Sequence, residues 1–327
     1  MQTKGYFASA VIFMRRHLRV LLSFAAVGSL AVTVWLAWMS MGLEPSSGDL
    51  APTPFAATTT GNSAPVTTKK ARLILLVPWY NETSERRRDE LHGALASNVQ
   101  LAQRLWDTDR VRLELVLVHD GSTGDGDPDL GPAADDGAWD EYVQFFYQGH
   151  PGRMNVSDAL AVANRYRHYG SSVVVILANT DIVFDGSLRF IAEDPELQSR
   201  KRVMYALSRW EFGSSMRKPS MCSPAYQGSH DSFIFAVPVP DALLEATRFP
   251  VGAWGYENRL MYEFEHEAGY TVSNPCISVR SFHAHVSAIK SNQLHERIND
   301  RGRSLYARPA MHPLDLTPAD QGEPLHI

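Results

Sequence analysis

Three polar side chains, Asn179, Asp181 and Asp185, interrupt the apolar run SVVVILANTDIVFD. On an extended chain, residues two apart share a face. Asn179 and Asp181 are therefore expected to point together, with Asp185 further along if the strand continues. A carboxylate among oxygen neighbours suits a hard divalent cation such as Mn2+ or Mg2+, which a diphosphate can bridge. Such an ion acts as a Lewis acid on a departing nucleoside diphosphate. The rival reading is turn chemistry, because Asn-Thr-Asp and Asp-Gly commonly bend a chain.

Two further carboxylates stand in suggestive company. Glu257 follows GAWGY, where glycines permit close backbone approach and Trp254 offers a flat apolar face for a sugar ring. Placed there, it can take a proton from an acceptor hydroxyl as general base, or simply favour a helix N-terminus. Asp231, in GSHDSFIF, precedes an apolar strand and is the alternative base or acceptor-binding group. Arg209 and Trp210 end YALSRW and are placed to meet a phosphate and a sugar respectively.

These residues need a scaffold, and the apolar periodicity supplies one. RLILLVPWYNE (72–82), VRLELVLVHDGS (111–122), YVQFFYQ and the opening run read as strands. Helical spacing of Leu91, Leu95, Val99, Leu101 and Leu105 places a helix over 84–107, with Ser84 as N-cap. A second helix is expected over 155–170, closed by Gly170, and a third over 257–270. RVMYALSRW, DSFIFAV and TVSNPCISVRSFHAH read as later strands, and 123–140 as a Gly-, Asp- and Pro-rich loop. Alternating strands and helices favour a largely parallel sheet covered on both faces. In such sheets ligands bind beyond the carboxyl ends of the strands, where Asn81, Asp120, Asn179 and Asp181 all fall.

The whole chain has 327 residues and a net charge of −5, so a nucleic-acid-binding role has little support. Val20 to Leu43 carries no charge and is long enough for a transmembrane helix, too long for the core of a cleavable signal. Lys4, Arg15, Arg16 and Arg19 precede it, which orients the N-terminus to the cytosol and the remainder to the lumen or exterior. The expected organisation is a cytosolic tail (1–19), signal anchor (20–43), Pro-, Ser- and Thr-rich stem (44–70), catalytic body (71–290) and C-terminal tail (291–327). Cys222 and Cys276 can pair in an oxidising compartment or remain two buried thiols. In a lumenal protein the sequons at Asn81 and Asn155 are candidate glycan acceptors, but a glycan on Asn81 would block a nucleotide pocket, so Asn81 is expected to be unmodified.

LANTDIVFD resembles the D-x-D segment of GT-A-fold glycosyltransferases, the nucleotide-diphospho-sugar transferase superfamily, with Asn179 in place of the first acid. LLVPWYNE is similar to that fold's first-strand motif and LVLVHDGS to its VVDDGS segment, with His119 where the first acid stands. VGAWGYENRLMYEFEHEAGYTVSNP resembles its Gly-Trp-Gly-x-Glu-Asp stretch, with Asn258 for the second acid. The resemblance covers roughly 72–286 and implies an α/β, Rossmann-like fold with a mostly parallel sheet. It also implies Pro78, Tyr80 and Asn81 near the nucleotide base, Asp120 at base or ribose, and Asp181 on Mn2+ or Mg2+. His283 or His285 would complete the metal shell. The activity implied is transfer from a nucleotide sugar to a glycan or glycoprotein acceptor, in a Golgi or ER membrane protein of type II topology. The alternative is a catalytically silent glycan-binding or scaffold protein on the same fold.

Overall fold

An apolar run without polar interruption makes a strand only if both its faces are covered. Arg72–Trp79 forms such a strand, β1, in the computed structural model. The structure describes residues 70–119, 129–131, 139–147, 153–169, 172–211, 222–223, 229–284, 298 and 302–312. The predicted cytosolic tail and signal anchor, and all of the stem but its last residue, lie outside these, as do Asp120, His285 and Gly170. Among the described residues no helix is long and apolar enough to cross a membrane.

After β1 come α1 (Glu85–Asp109), β2 (Leu113–His119), β3 (Val143–Tyr147) and α2 (Val156–Arg165). Then follow β4 (Val173–Ala178), β5 (Ile182–Phe184), α3 (Leu188–Glu193), α4 (Pro195–Gln198) and β6 (Val203–Leu207). The last elements are β7 (Trp210–Glu211), β8 (Ser232–Ala236), α5 (Asp241–Ala246), α6 (Tyr256–His266), β9 (Thr271–Ser273) and β10 (Ser281–His283).

Seven strands form one sheet in the order β3-β2-β1-β4-β8-β6-β9, in which β8 alone runs against the others. The α/β architecture and mostly parallel, helix-flanked sheet are those the resemblance implies. Alternation along β1 assigns the two cores. Leu73, Leu75 and Val77 join Leu91, Leu95, Val99 and Leu105 of α1, whereas Ile74 and Leu76 join Leu160 and Ala163 of α2 and Leu260 and Phe264 of α6. Each such large aliphatic side chain, fully buried, contributes about 1.5–3 kcal/mol. The sheet is thereby a stiff slab clamped on both faces.

The register brings the functional ends together. Trp79 pairs with His119, Ala178 with Ser232, and Leu207 with Ser232. The carboxyl ends of β1, β2, β4 and β6 and the amino end of β8 therefore share one edge. A second, three-stranded sheet, β5-β10-β7, stands there; its pairing of His283 with Ile182 sets His283 beside Asp181.

Two strand expectations need correction. The fourth strand does not run through Asp185: β4 ends at Ala178, the chain turns at Thr180 and Asp181, and β5 starts a different sheet. TVSNPCISVRSFHAH is likewise split into β9 and β10, in separate sheets, by a turn after Pro275. Cys222 and Cys276 form a disulfide with Cα atoms 5.9 Å apart, which settles the two open alternatives. Part of the C-terminal tail is docked: the Leu305 amide donates to the Asn258 carbonyl at 3.1 Å and the Ala310 amide to that of Asn274 at 2.7 Å. His312 Nε2 lies 2.7 Å from Asp194 Oδ2.

Candidate active site

Asp181 sits on the turn between β4 and β5, only 7% exposed, but its surroundings are polar. An Arg87 guanidinium nitrogen donates to its Oδ2 at 2.6 Å, and His283 Nε2 lies 3.0 Å from the same oxygen. Burial pushes the Asp181 carboxyl up, but the hydrogen bond and charge of His283 and the Arg87 guanidinium outweigh it and hold the group well below the usual carboxylate range. Arg87 also donates to Glu90 Oε2 at 3.0 Å, one turn further along α1.

The base-side residues border this cluster. Thr180 donates its hydroxyl to the Pro78 carbonyl at 2.8 Å, locking the Asp181 turn to the end of β1. Tyr80 is half-buried beside Arg87; burial raises its phenol against the pull of that guanidinium. Asn81 Oδ1 accepts from the Asp129 amide at 2.9 Å.

With β4 ended at Ala178, Asn179 and Asp181 take different hydrogen-bond partners, where an extended chain would have continued the strand through both. The Tyr256 hydroxyl donates to Asn179 Oδ1 at 2.6 Å, and Asn179 Nδ2 donates to Asp231 Oδ1 at 3.1 Å. Arg209 donates to the same Asp231 oxygen at 2.8 Å. Asp231 is 2% exposed, and burial keeps its carboxyl raised although Arg209 and His283 pull it down. Asp185 turns away to Arg280, 2.7 Å distant. Trp210 points elsewhere as well, its indole nitrogen donating to the Cys276 carbonyl at 2.9 Å.

Glu257 lies in the first turn of α6, after Gly255, whose φ of 84° places it in the left-handed region. Its carboxyl is pushed up to about 8, by burial first and the nearby Asp231 charge second, against its own backbone amide and Arg209. Trp254, three residues earlier, is 43% exposed.

Does this donor set suit a divalent cation? Two ligands about 2.1 Å from an octahedral ion and at right angles to each other are about 3.0 Å apart. The Asp181 Oδ2 to His283 Nε2 distance is 3.0 Å. Among the described residues no group of three or more His, Cys, Asp or Glu converges to hold a metal. The Asp181–His283 separation is also that of the hydrogen bond the two groups make, and Arg87 donates to the same oxygen, so two side chains alone do not build a metal site here. Around the edge, the guanidiniums of Arg87 and Arg209 face the carboxyl groups of Asp181, Glu90, Asp231 and Glu257, leaving no cationic surplus among these groups for a diphosphate.

Sequence reasoning missed Arg87, Glu90 and Tyr256. A signal existed for the first: Arg86, Arg87 and Arg88 crowd the first turn of a 25-residue helix, where the macrodipole disfavours cations.

No family model and no curated protein matches the chain. Among solved structures it is similar to TarS 1–349 of S. aureus, with TM-score 0.38 and 14% identity over 65% of this chain and 60% of that one. It is also similar to a protein assigned as a glucose-1-phosphate thymidylyltransferase of Bacillus anthracis (TM-score 0.37, 8% identity, 65% and 89% of the two chains). A third is assigned as a nucleotide-diphospho-sugar transferase of Desulfovibrio desulfuricans G20 (TM-score 0.34, 13% identity, 62% and 79%). The chain spans less than two thirds of the TarS chain. Likeness at this level carries no chemistry, which rests on the side chains above.

Proposed function

We propose that this chain transfers a sugar from a nucleoside-diphosphate sugar to a hydroxyl of a glycan or glycoprotein acceptor. The observation that carries the reading is one juxtaposition: the Asp181–His283 pair and the raised carboxyl of Glu257 lie at the same sheet edge, both within the field of Asp231. A cation on the first centre and a proton acceptor on the second would serve a metal-assisted glycosyl transfer to a hydroxyl.

Pro78, Tyr80, Asn81 and, outside the described residues, Asp120 are assigned to the base and ribose. Asp181 and His283 would hold Mn2+ or Mg2+, with His285 as a further candidate ligand. That ion would supply charge for the leaving diphosphate. Trp254 offers its face to the acceptor sugar, and Glu257 removes the proton from the attacking hydroxyl. Asp231, fixed by Arg209 and Asn179, holds the Glu257 carboxyl basic through its charge. The Asn179–Asp231 bond gives the amide in place of the first acid a structural role, and the alternative is a catalytically silent glycan-binding or scaffold protein on the same fold. The Cys222–Cys276 disulfide supports an oxidising lumen, and with the apolar 20–43 segment a Golgi or ER anchor of type II topology.

The test uses the full chain in mild detergent with a panel of UDP-, GDP- and TDP-sugars, scoring nucleotide release with and without glycan acceptors. Release from one donor, abolished in Asp181→Asn and lowered in Glu257→Gln, is the expected result. Glycan binding without turnover of any donor would instead establish the silent alternative.

A further inference from the structure

The C-terminal segment crosses the same edge of the sheet. The Leu305 amide donates to the Asn258 carbonyl at 3.1 Å, and Asn258 Nδ2 returns a bond to the Leu305 carbonyl at 2.9 Å. The Ala307 carbonyl lies 3.1 Å from His230 Nε2 and accepts from Asn274 Nδ2 at 3.2 Å. Asn258 follows Glu257, His230 precedes Asp231, and Asn274 follows β9, which runs parallel to β6 and ends at the same edge. Further back, the Ile298 amide donates to the Trp254 carbonyl at 3.0 Å. The segment is thus pinned to the chain neighbours of both carboxyl groups and to the backbone of Trp254.

Its side chains alternate as on a strand. Leu305 and Ala307 pack against the core shared by α2 and α6, whereas Ser304, Tyr306 and Arg308 are exposed. Among the described residues four large apolar side chains stand open: Trp106, Tyr169, Trp254 and Tyr306. Arginine guanidiniums lie over the first two rings, Arg110 over Trp106 at 5.6 Å and Arg72 over Tyr169 at 4.2 Å. Among the described residues neither Trp254 nor Tyr306 has such a cover. Tyr306, 53% exposed, is moreover held by backbone bonds on both sides, at Leu305 and Ala307. A fixed, open ring is a good partner for the C–H face of a sugar, because little freedom is left to lose on binding.

We propose that Tyr306 is a second aromatic platform of the acceptor site, so that the acceptor is an oligosaccharide whose reacting sugar lies at Trp254 and whose following units reach Tyr306. This rests on the acceptor reading above and adds to it the length of the glycan. Tyr306 lies outside residues 72–286, so the family resemblance assigns it nothing. The two rings hang from different segments, and one sugar face stacks on one ring, so use of both requires at least two sugar units.

The test is a saturation-transfer NMR titration of the full chain in a detergent without a sugar headgroup. The probes are the methyl glycosides of glucose, galactose, mannose and N-acetylglucosamine and the matching di- and tetrasaccharides, with and without UDP, GDP or TDP. In one series the wild type is expected to bind the oligosaccharide about tenfold more tightly than the methyl glycoside. Tyr306→Ala should lose most of that gain while remaining folded by circular dichroism, and Tyr306→Phe, which keeps the ring face, should retain it. Trp254→Ala should instead weaken both probes. A gain that survives in Tyr306→Ala, or methyl glycosides that bind as tightly as every oligosaccharide, overturns the platform and leaves the transfer reading standing. A Tyr306-dependent gain in a protein that turns over no donor supports the platform and selects the silent glycan-binding alternative. If no saccharide binds and no donor is turned over, the acceptor reading fails and the platform with it.

Discussion

Asn179 Nδ2 donates to Asp231 Oδ1 across 3.1 Å, and this bond makes an amide, not an acid, the residue that belongs at position 179. Asp231 is buried, and its carboxyl needs donors; Arg209 supplies one and Asn179 another. A carboxylate at 179 could still accept the Tyr256 hydroxyl but would have no donor for Asp231 and would face it with like charge.

Asn179→Asp, which restores the family's two-acid pattern, is therefore expected to damage the protein. The loss of a donor to a buried carboxylate predicts destabilisation of about 1–3 kcal/mol in denaturant titration at neutral pH. Because the side chain points to Asp231 and not to Asp181, Mn2+ affinity should not improve. Tighter Mn2+ binding in this variant would show that residue 179 belongs to the cation site after all.

Glu257 predicts a pH dependence with a defined sign. In the unfolded chain it ionises near 4.5 and in the folded protein near 8. The folded state thus holds the proton more tightly: its contribution to stability is full below the unfolded value and is lost as pH rises through about 8. Activity runs the other way, since only the ionised carboxylate accepts a proton. The kcat/KM of wild type should climb with pH and level off above about 8, and Glu257→Gln should lower it by about 10²–10⁴ and flatten the profile. An unchanged rising limb in Glu257→Gln would move the base to another group.

Why was the sheet legible and the site only partly so? β4 is a wholly buried apolar run, and β2 is buried throughout with only Glu114 and His119 polar; such runs declare themselves in any sequence. Asp181 and Glu257 announced themselves by local company. What could not be read was pairing across the chain. Arg87 meets Asp181 over 94 residues and His283 meets it over 102, and nothing local to either end encodes the other. The break after Ala178 was misread because β-branched residues resume at Ile182 and Val183. Their run looks continuous, whereas the backbone has changed sheets.

His312 anchors the end of the described C-terminal segment in the core. It is fully buried, 2.7 Å from Asp194 Oδ2, which also accepts the Tyr205 hydroxyl at 2.6 Å. Burial raises the Asp194 carboxyl, but bonds from His312, Tyr205 and the Leu197 amide outweigh it and leave it depressed. The stability Asp194 provides is hence present above its ordinary value of 3.8 and lost as pH falls through the depressed one. His312→Ala should cost about 1–3 kcal/mol at pH 7 and expose the tail to limited proteolysis. An unaltered digestion pattern would mean that the backbone bonds at Leu305 and Ala310 suffice.

The disulfide links stability to the arginine that holds Asp231. Cys222 and Cys276 close a loop of 54 residues, for which chain entropy predicts about 4 kcal/mol. The Cys222 amide donates to the Arg209 carbonyl at 3.2 Å, and Trp210 is tied to the Cys276 carbonyl. Reduction should therefore do more than lower Tm. With Arg209 less firmly set, Asp231 loses a partner, and turnover should fall at temperatures where the protein is still folded. The check is activity and circular dichroism measured in parallel across a dithiothreitol titration, alongside a Cys222→Ser, Cys276→Ser double variant. Activity that survives until the fold itself is lost would separate the disulfide from the site and leave it a purely global brace.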